Sequence, residues 1–207
     1  MPDQLKGFPL FPLGIVALPS ESVPLHVFED RYRTMIEECI REEREFGIVW
    51  SSDTELKPVG CACQIEETLE RMDDGRLNIL ARGTRPFRLL ERQDDLPYPA
   101  GVVEFLDERA EETDAEAARA ARELYRELVE QATDQTLSDE ELGELDAYGM
   151  AATVEFGSDA KQELLELRSE NARLRLLALL LQAAIKRLEV VERAQARALS
   201  NGKVRFE

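Results

Sequence analysis

One histidine, three cysteines and five lysines are among the side chains of this 207-residue chain that could serve as base, metal ligand or activated nucleophile. His26 is the only imidazole, so a Ser-His-Asp triad would have to use it, and no serine sits in a G-x-S-x-G elbow. The lysines (Lys6, Lys57, Lys161, Lys186, Lys203) read as exposed, and none lies in the Gly/Ser-rich strand-turn setting that would suit a Ser-Lys dyad. Cys61-x-Cys63 places two thiols on one strand face, to which His26 could add a third ligand. Structural zinc prefers C-x₂₋₄-C pairs that turn back on themselves, so the pair reads as two small apolar residues facing a core. Phosphate cradles need clustered glycine, because a Cβ blocks close backbone approach. The eleven glycines are scattered singly, with neither G-x-x-x-x-G-K-[S/T] nor G-x-G-x-x-G. Carboxylate pairs such as Glu37-Glu38 and Asp73-Asp74 fit solvated faces of an acidic chain. No catalytic residue, metal or cofactor is assigned.

Charge narrows the partners. Asp plus Glu is 43 against 26 Lys plus Arg, a formal net charge of −17. Both halves share the acidity, so neither holds a basic domain. Nucleic acid and anionic membrane surfaces draw their affinity from clustered Lys and Arg, and neither is expected as a partner. Three cysteines are too few and too odd in number for a disulfide framework, which fits a reducing compartment. The N-terminus lacks the pattern of a signal peptide, and Leu174 to Ile185, the most apolar stretch, is interrupted by Arg175 and Gln182. A cytoplasmic location is expected.

The elements that must position these residues fall into two textures. All nine prolines lie at or before Pro99, and beyond it Ala, Leu, Glu and Arg dominate. Proline interrupts regular structure and the later residues favour helix, so an α+β chain is expected. Its division is a β-rich segment 1–108 and a helical segment 109–207. Strands are read at Phe8–Leu13, Pro24–Phe28, Phe46–Trp50, Val59–Thr68, Leu77–Ala81, Phe87–Glu91 and Val102–Leu106. The first, carrying Pro9 and Pro12, is expected at a sheet edge. Asp74-Gly75 carries a hairpin signal. Glu29–Glu45 reads as a helix, with Tyr32, Met35, Ile36, Cys39 and Ile40 at helical spacing. Such short strands with one early helix suggest a small closed or half-closed barrel.

In the helical half, Thr113/Glu116, Ser138/Glu141 and Asp159/Gln162 have capping-box spacing. The helix after Thr113 is expected to bury Ala117, Ala121, Leu124 and Leu128. A final helix is expected over about 160–199, ended by Asn201-Gly202. Leu167, Leu174, Leu181 and Leu188 recur every seven residues along it. This seam would either pack inside a bundle or join two copies as a homodimer.

The front half resembles a known family. Phe8-Pro-Leu-Phe-Pro-Leu-Gly, Pro24-Leu-His-Val-Phe-Glu-Asp-Arg-Tyr32 and Phe46-Gly-Ile-Val49 resemble the N-terminal (substrate-binding) domain of Lon proteases, especially its stand-alone bacterial versions. Asp74-Gly75-Arg76, Gly83 with Phe87-Arg88, and Pro97-Tyr98 resemble its second block, and Lys161-Gln162 with Leu164-Leu165-Glu166 the start of its closing helix. Ser20-Glu21 stands where that family usually has glycine, and Pro86 where it usually has arginine. The resemblance implies a PUA-like six-stranded pseudo-barrel followed by a helical bundle. It also implies binding of unfolded or exposed polypeptide segments without catalysis, because the P-loop ATPase and Ser-Lys peptidase modules are not among these residues. An adaptor or holdase role, with a separate protease as a possible partner, follows from that reading. Phe11, His26, Phe28, Arg31 and Tyr32 are candidate lining for a peptide groove, although Phe28 and Tyr32 could instead anchor the first helix in the core. A barrel binding a small molecule, through His26 or the cysteines, is the alternative function.

Overall fold

A computed structural model describes residues 4–52, 55–133 and 135–201. Contacts divide the chain into two compact units. One holds residues up to Glu111 together with Tyr148–Glu170; the other holds Glu112–Ala147 and the chain from Asn171 onward.

The first unit is built on six strands: β1 (Gln4–Leu13), β2 (Ser22–Val27), β3 (Phe46–Trp50), β4 (Val59–Arg71), β5 (Leu77–Gln93) and β6 (Ala100–Phe105). Their order is β2-β5-β4-β3-β1-β6, and β5 also pairs with β6, which closes the sheet. The 17-residue β5 makes this possible. Its first part pairs with β2 and its last part with β6, while β4 runs along most of it. The two short strands expected over Leu77–Ala81 and Phe87–Glu91 are therefore one. The hairpin between β4 and β5 turns at Gly75, with φ of +85°, as its Asp-Gly signal requires.

The barrel core gathers Phe8, Leu10, Val49, Ala62, Phe87 and Val103. Phe8 meets Phe87 edge-on at 5.3 Å and Phe105 at 5.8 Å. Gly47 and Gly60 admit the Phe87 ring: a Cβ on Gly47 would lie 2.5 Å from it, and one on Gly60 2.8 Å. Helix α1 (Asp30–Glu42) covers the barrel with Tyr32, Met35, Ile36 and Cys39 buried, as its periodicity predicts.

Strand β1 is not at an edge. It pairs antiparallel with β6 from Gln4 to Pro9, then parallel with β3 from Leu10 to Leu13. Pro9 falls where the pairing with β3 has yet to begin, and Pro12 where that with β6 has ended. Each proline thus lacks its N–H at a position where the ladder needs none.

Residues 148–170 belong with the barrel because α5 (Ser158–Glu166) is docked there by polar contacts. The Lys161 ammonium, expected in solvent, is buried and lies 2.5 Å from the Glu21 carboxylate. The Gln162 amide donates to the Val59 carbonyl at 3.1 Å and to the Glu166 carboxylate at 2.8 Å, so it forms no capping box; Gly157 is the N-cap. Short α4 (Ala147–Ala151) precedes α5, and Tyr148 donates its hydroxyl to Leu164 O at 3.4 Å.

The second unit contains α2 (Ala115–Thr133), α3 (Asp139–Glu144) and nearly all of α6 (Glu170–Asn201). Helix α2 buries Ala118, Ala121, Tyr125 and Leu128, a stripe that partly departs from the expected one because the bulk of Tyr125 faces inward. Its cap is Asp114, whose carboxylate accepts from the N–H groups of Glu116 and Ala117, rather than Thr113. Ser138 and Glu141 do form the expected capping box.

The single helix expected over 160–199 is two helices. Leu167 caps α5 in extended conformation. The Arg168 carbonyl accepts from Arg109 N–H at 2.7 Å in place of a helical donor, and its guanidinium donates twice to Asp107 O. Within α6, Leu174, Leu177, Leu181 and Ile185 are buried. Gly202, the expected stop, lies outside the described residues.

Candidate functional site

Among the described residues β2 pairs with β5 alone, so its other backbone edge is unpaired. The strand alternates strictly: Val23, Leu25 and Val27 are buried, while Ser22, Pro24 and His26 face solvent. Pro24 suits an edge strand, where its missing N–H can face away from the sheet. A free edge offers backbone groups to an extended peptide, and the proline blunts indiscriminate pairing.

Two of the five candidate lining residues meet on this face. Phe28, directly after β2, is 58% exposed, so it is no core anchor. It stacks against His26, with ring centroids 5.8 Å apart and planes at 25°. The Asn78 amide donates to the Glu70 carboxylate at 2.8 Å, and a carboxylate can only accept, so the amide orientation is fixed. Its oxygen then faces His26 Nδ1 at 2.6 Å, and Nδ1 is the donor. Nε2 takes no part in that bond. The face thus presents one apolar plate, one imidazole oriented by Asn78 and a strip of backbone.

Tyr32 and Phe11 are elsewhere: both are buried and stack on each other at 4.3 Å. Burial pushes the Tyr32 phenol up, against the pull of Arg31. Arg31 lies 4.6 Å over the Tyr32 ring and pairs with Glu29 at 2.8 Å. Phe11 and Tyr32 thus pack in the core where β1 meets the start of α1, and Arg31 covers the Tyr32 ring from the exposed side. The proline-rich β1, expected at an edge on sequence grounds, has neighbours on both sides. The sequence reading missed Asn78 and Glu70. The signal that could have found the edge was the alternation of β2 together with Pro24.

The cysteines offer no accessible nucleophile. Cys61 and Cys63 are fully buried, and burial pushes the Cys61 thiol up, reinforced by Cys63. Burial likewise raises Cys39 to about 11. Among the described residues no cluster of His, Cys, Asp or Glu could hold a metal ion. A cleft of about 590 Å³ lies between the end of α1 and β4. Three of its charged groups are already engaged: Glu45 accepts from Thr84 at 2.5 Å and Arg85 at 2.8 Å, and Arg44 donates to Gly7 O at 3.0 Å.

The four leucines of the heptad series do not share a helix. Leu167 lies in the first unit, whereas Leu174 and Leu181 are buried in the second and Leu188 is half-buried. No helix among the described residues is long and apolar enough to cross a membrane.

Two solved structures share this architecture. The Lon N-terminal domain protein from Xanthomonas campestris matches with a TM-score of 0.66 and 26% identity, covering 84% of this chain and 97% of its own. The N-terminal domain of Mycobacterium avium complex Lon protease matches in fold with a TM-score of 0.64 and 21% identity, covering 86% and 98%. Among curated proteins, a Lon protease of Anaeromyxobacter dehalogenans is 28% identical over 192 residues, 84% of this chain and 22% of that protein. Lon protease 2 of Myxococcus xanthus is 27% identical over 198 residues, 86% and 24%. The chain therefore spans about a quarter of the curated relatives it matches. The family model for the ATP-dependent protease La (LON) substrate-binding domain matches residues 7–183. The chain belongs to the LON substrate-binding domain family.

Proposed function

We propose that this chain recognises exposed, extended polypeptide segments at the free edge of β2, as an adaptor or holdase with no peptidase step of its own. The observation that carries this reading is the exposed Phe28–His26 pair on an edge strand of a substrate-binding-domain fold. An extended segment would pair with the backbone of β2 and lay an apolar side chain on Phe28, which is how sheet edges gain both affinity and selectivity. Exposed apolar residues at binding surfaces are where most of the energy of association concentrates. A separate protease that receives the bound segment is the partner this role needs.

Fluorescence anisotropy with a labelled, permanently unfolded client tests the reading. The wild type is expected to bind in the micromolar range. The Phe28→Ser, His26→Ala double substitution is expected to weaken binding about tenfold, or ~1.4 kcal/mol, with an unchanged Tm. Absence of binding at high micromolar concentration, or full binding by the double variant, overturns it.

A further inference from the structure

The second unit contains a feature at odds with the charge of the whole. In a chain of net charge −17, three guanidinium groups line one cleft of about 580 Å³ between α2 and α3. Arg119, Arg122 and Arg126 stand three and four residues apart on α2, so they project from one helix face. Two carboxylates answer them. Glu123 lies 3.9 Å from Arg119, and Asp139 pairs with Arg126. Arg122 pairs with no carboxylate among the described residues; it donates to the carbonyls of Gly143 and Leu145, each at 3.3 Å. The buried Nε groups of Arg122 and Arg126 find no acceptor there. The floor is apolar, with Ala118 and Leu142 buried beneath the cations. Gly143 keeps the wall open: a Cβ there would meet nothing within 4 Å.

We infer that this cleft binds an oxyanion, a carboxylate or a phosphate group, with the guanidinium of Arg122 as its principal partner. Nη2 of Arg122 is held by the two carbonyls and its Nε is buried, so the two N–H groups of Nη1 are left to meet the anion's oxygens, and the flanking Arg119 and Arg126 raise the local potential. The half-buried setting strengthens the attraction relative to open solvent. This site is independent of the edge of β2, so either can fail alone.

The full chain is titrated at low ionic strength with inorganic phosphate and, separately, with succinate, following Tm and binding heat. Sodium chloride at matched ionic strength is the control. At least one of the two anions is expected to bind saturably and raise Tm, and chloride is not. Binding by phosphate alone points to a phosphorylated ligand, and binding by succinate alone to a carboxylate ligand. Gly143→Glu places a carboxylate in the cleft on an exposed helical position with room for it, so the fold is kept and binding should be abolished. Gly143→Ala should bind as the wild type does. Arg122→Gln should weaken binding at least tenfold. A chloride effect equal to that of both anions, or undiminished saturable binding by Gly143→Glu, overturns the inference.

Discussion

Gly83 and Gly143 are one residue type in two units with opposite surroundings. A Cβ on Gly83 would overlap the carbonyl oxygen of Leu18, whereas one on Gly143 would stand in open space. Around Gly83 the barrel is locked by backbone: Ser20 N–H donates to Gly83 O, and Gly83 N–H donates to Glu21 O, each at 2.9 Å. Around Gly143 the helices are joined by long arginine side chains that can shift. The barrel obtains its geometry from close backbone approach, and the helical unit from side chains. Tolerance to substitution should follow that division, and it can be tested site by site.

The largest effect is expected at Gly83. A backbone oxygen cannot swing aside, so Gly83→Ala should cost about 3 kcal/mol or more, a large share of the ~5–15 kcal/mol typical of a folded domain. Trp50, the only tryptophan, lies in β3 and reports the unfolding of the first unit in urea. Gly143→Ala should instead stabilise by about 0.5–1 kcal/mol, because alanine favours helix where glycine does not. Equal effects at the two positions would dissolve the comparison.

Next in size is the buried pair that docks α5. Side-chain exposure is only 11% for Lys161 and 15% for Glu21, so removing one partner strands the other away from water. Lys161→Met should cost about 3 kcal/mol. Adding Glu21→Met should recover part of that loss, since the stranded carboxylate is then gone. A double variant no better than the single one would show that Glu21 acts chiefly by accepting from Leu18 N–H, at 2.9 Å.

Alkaline titration provides a third test within the barrel. Tyr98 is pushed up to about 12 by burial and by its hydrogen bond to Glu38 at 2.5 Å. An unfolded tyrosine ionises near its usual value of about 10. The folded state therefore holds a proton that the unfolded state releases. This contribution is whole below pH ~10 and is lost as pH rises towards 12. Tyr98→Phe should flatten the loss of stability in that window; a slope unchanged from wild type would assign it to other groups.

These tests also mark what the chain's order of residues could reveal. Signals that act over a few residues were legible. The α1 stripe, the Asp74-Gly75 turn and the Ser138/Glu141 box each depend on neighbours within one turn of chain. Features settled by distant partners were not. The interruption at Leu167–Ser169 contains no proline or glycine, and is made by Arg109, Asp107 and Glu111 reaching across from some sixty residues away. Lys161 reads as a surface lysine until Glu21, 140 residues earlier, is placed beside it. The same limit applies to the site. His26 and Phe28 could be named from the sequence, but the pairing of β2 with β5 separates them from Phe11 and Tyr32.

The smallest effect tests the turn where the chain departs from its family. Ser20 holds φ of +67°, in the left-handed region that glycine occupies without strain. The resemblance read from the sequence implies glycine at this turn in the family. Serine there is strained by roughly 1 kcal/mol relative to glycine in the folded state, while glycine loses more freedom on folding. The two terms oppose each other, and strain should prevail by about 0.5 kcal/mol because Ser20 N–H is already bound to Gly83 O and the turn cannot relax. Ser20→Gly is therefore expected to raise stability slightly in urea unfolding followed at Trp50. A loss of stability would mean that the turn owes its shape to the serine and that the barrel can give way beside Gly83, which would undercut the rigidity assigned to this unit.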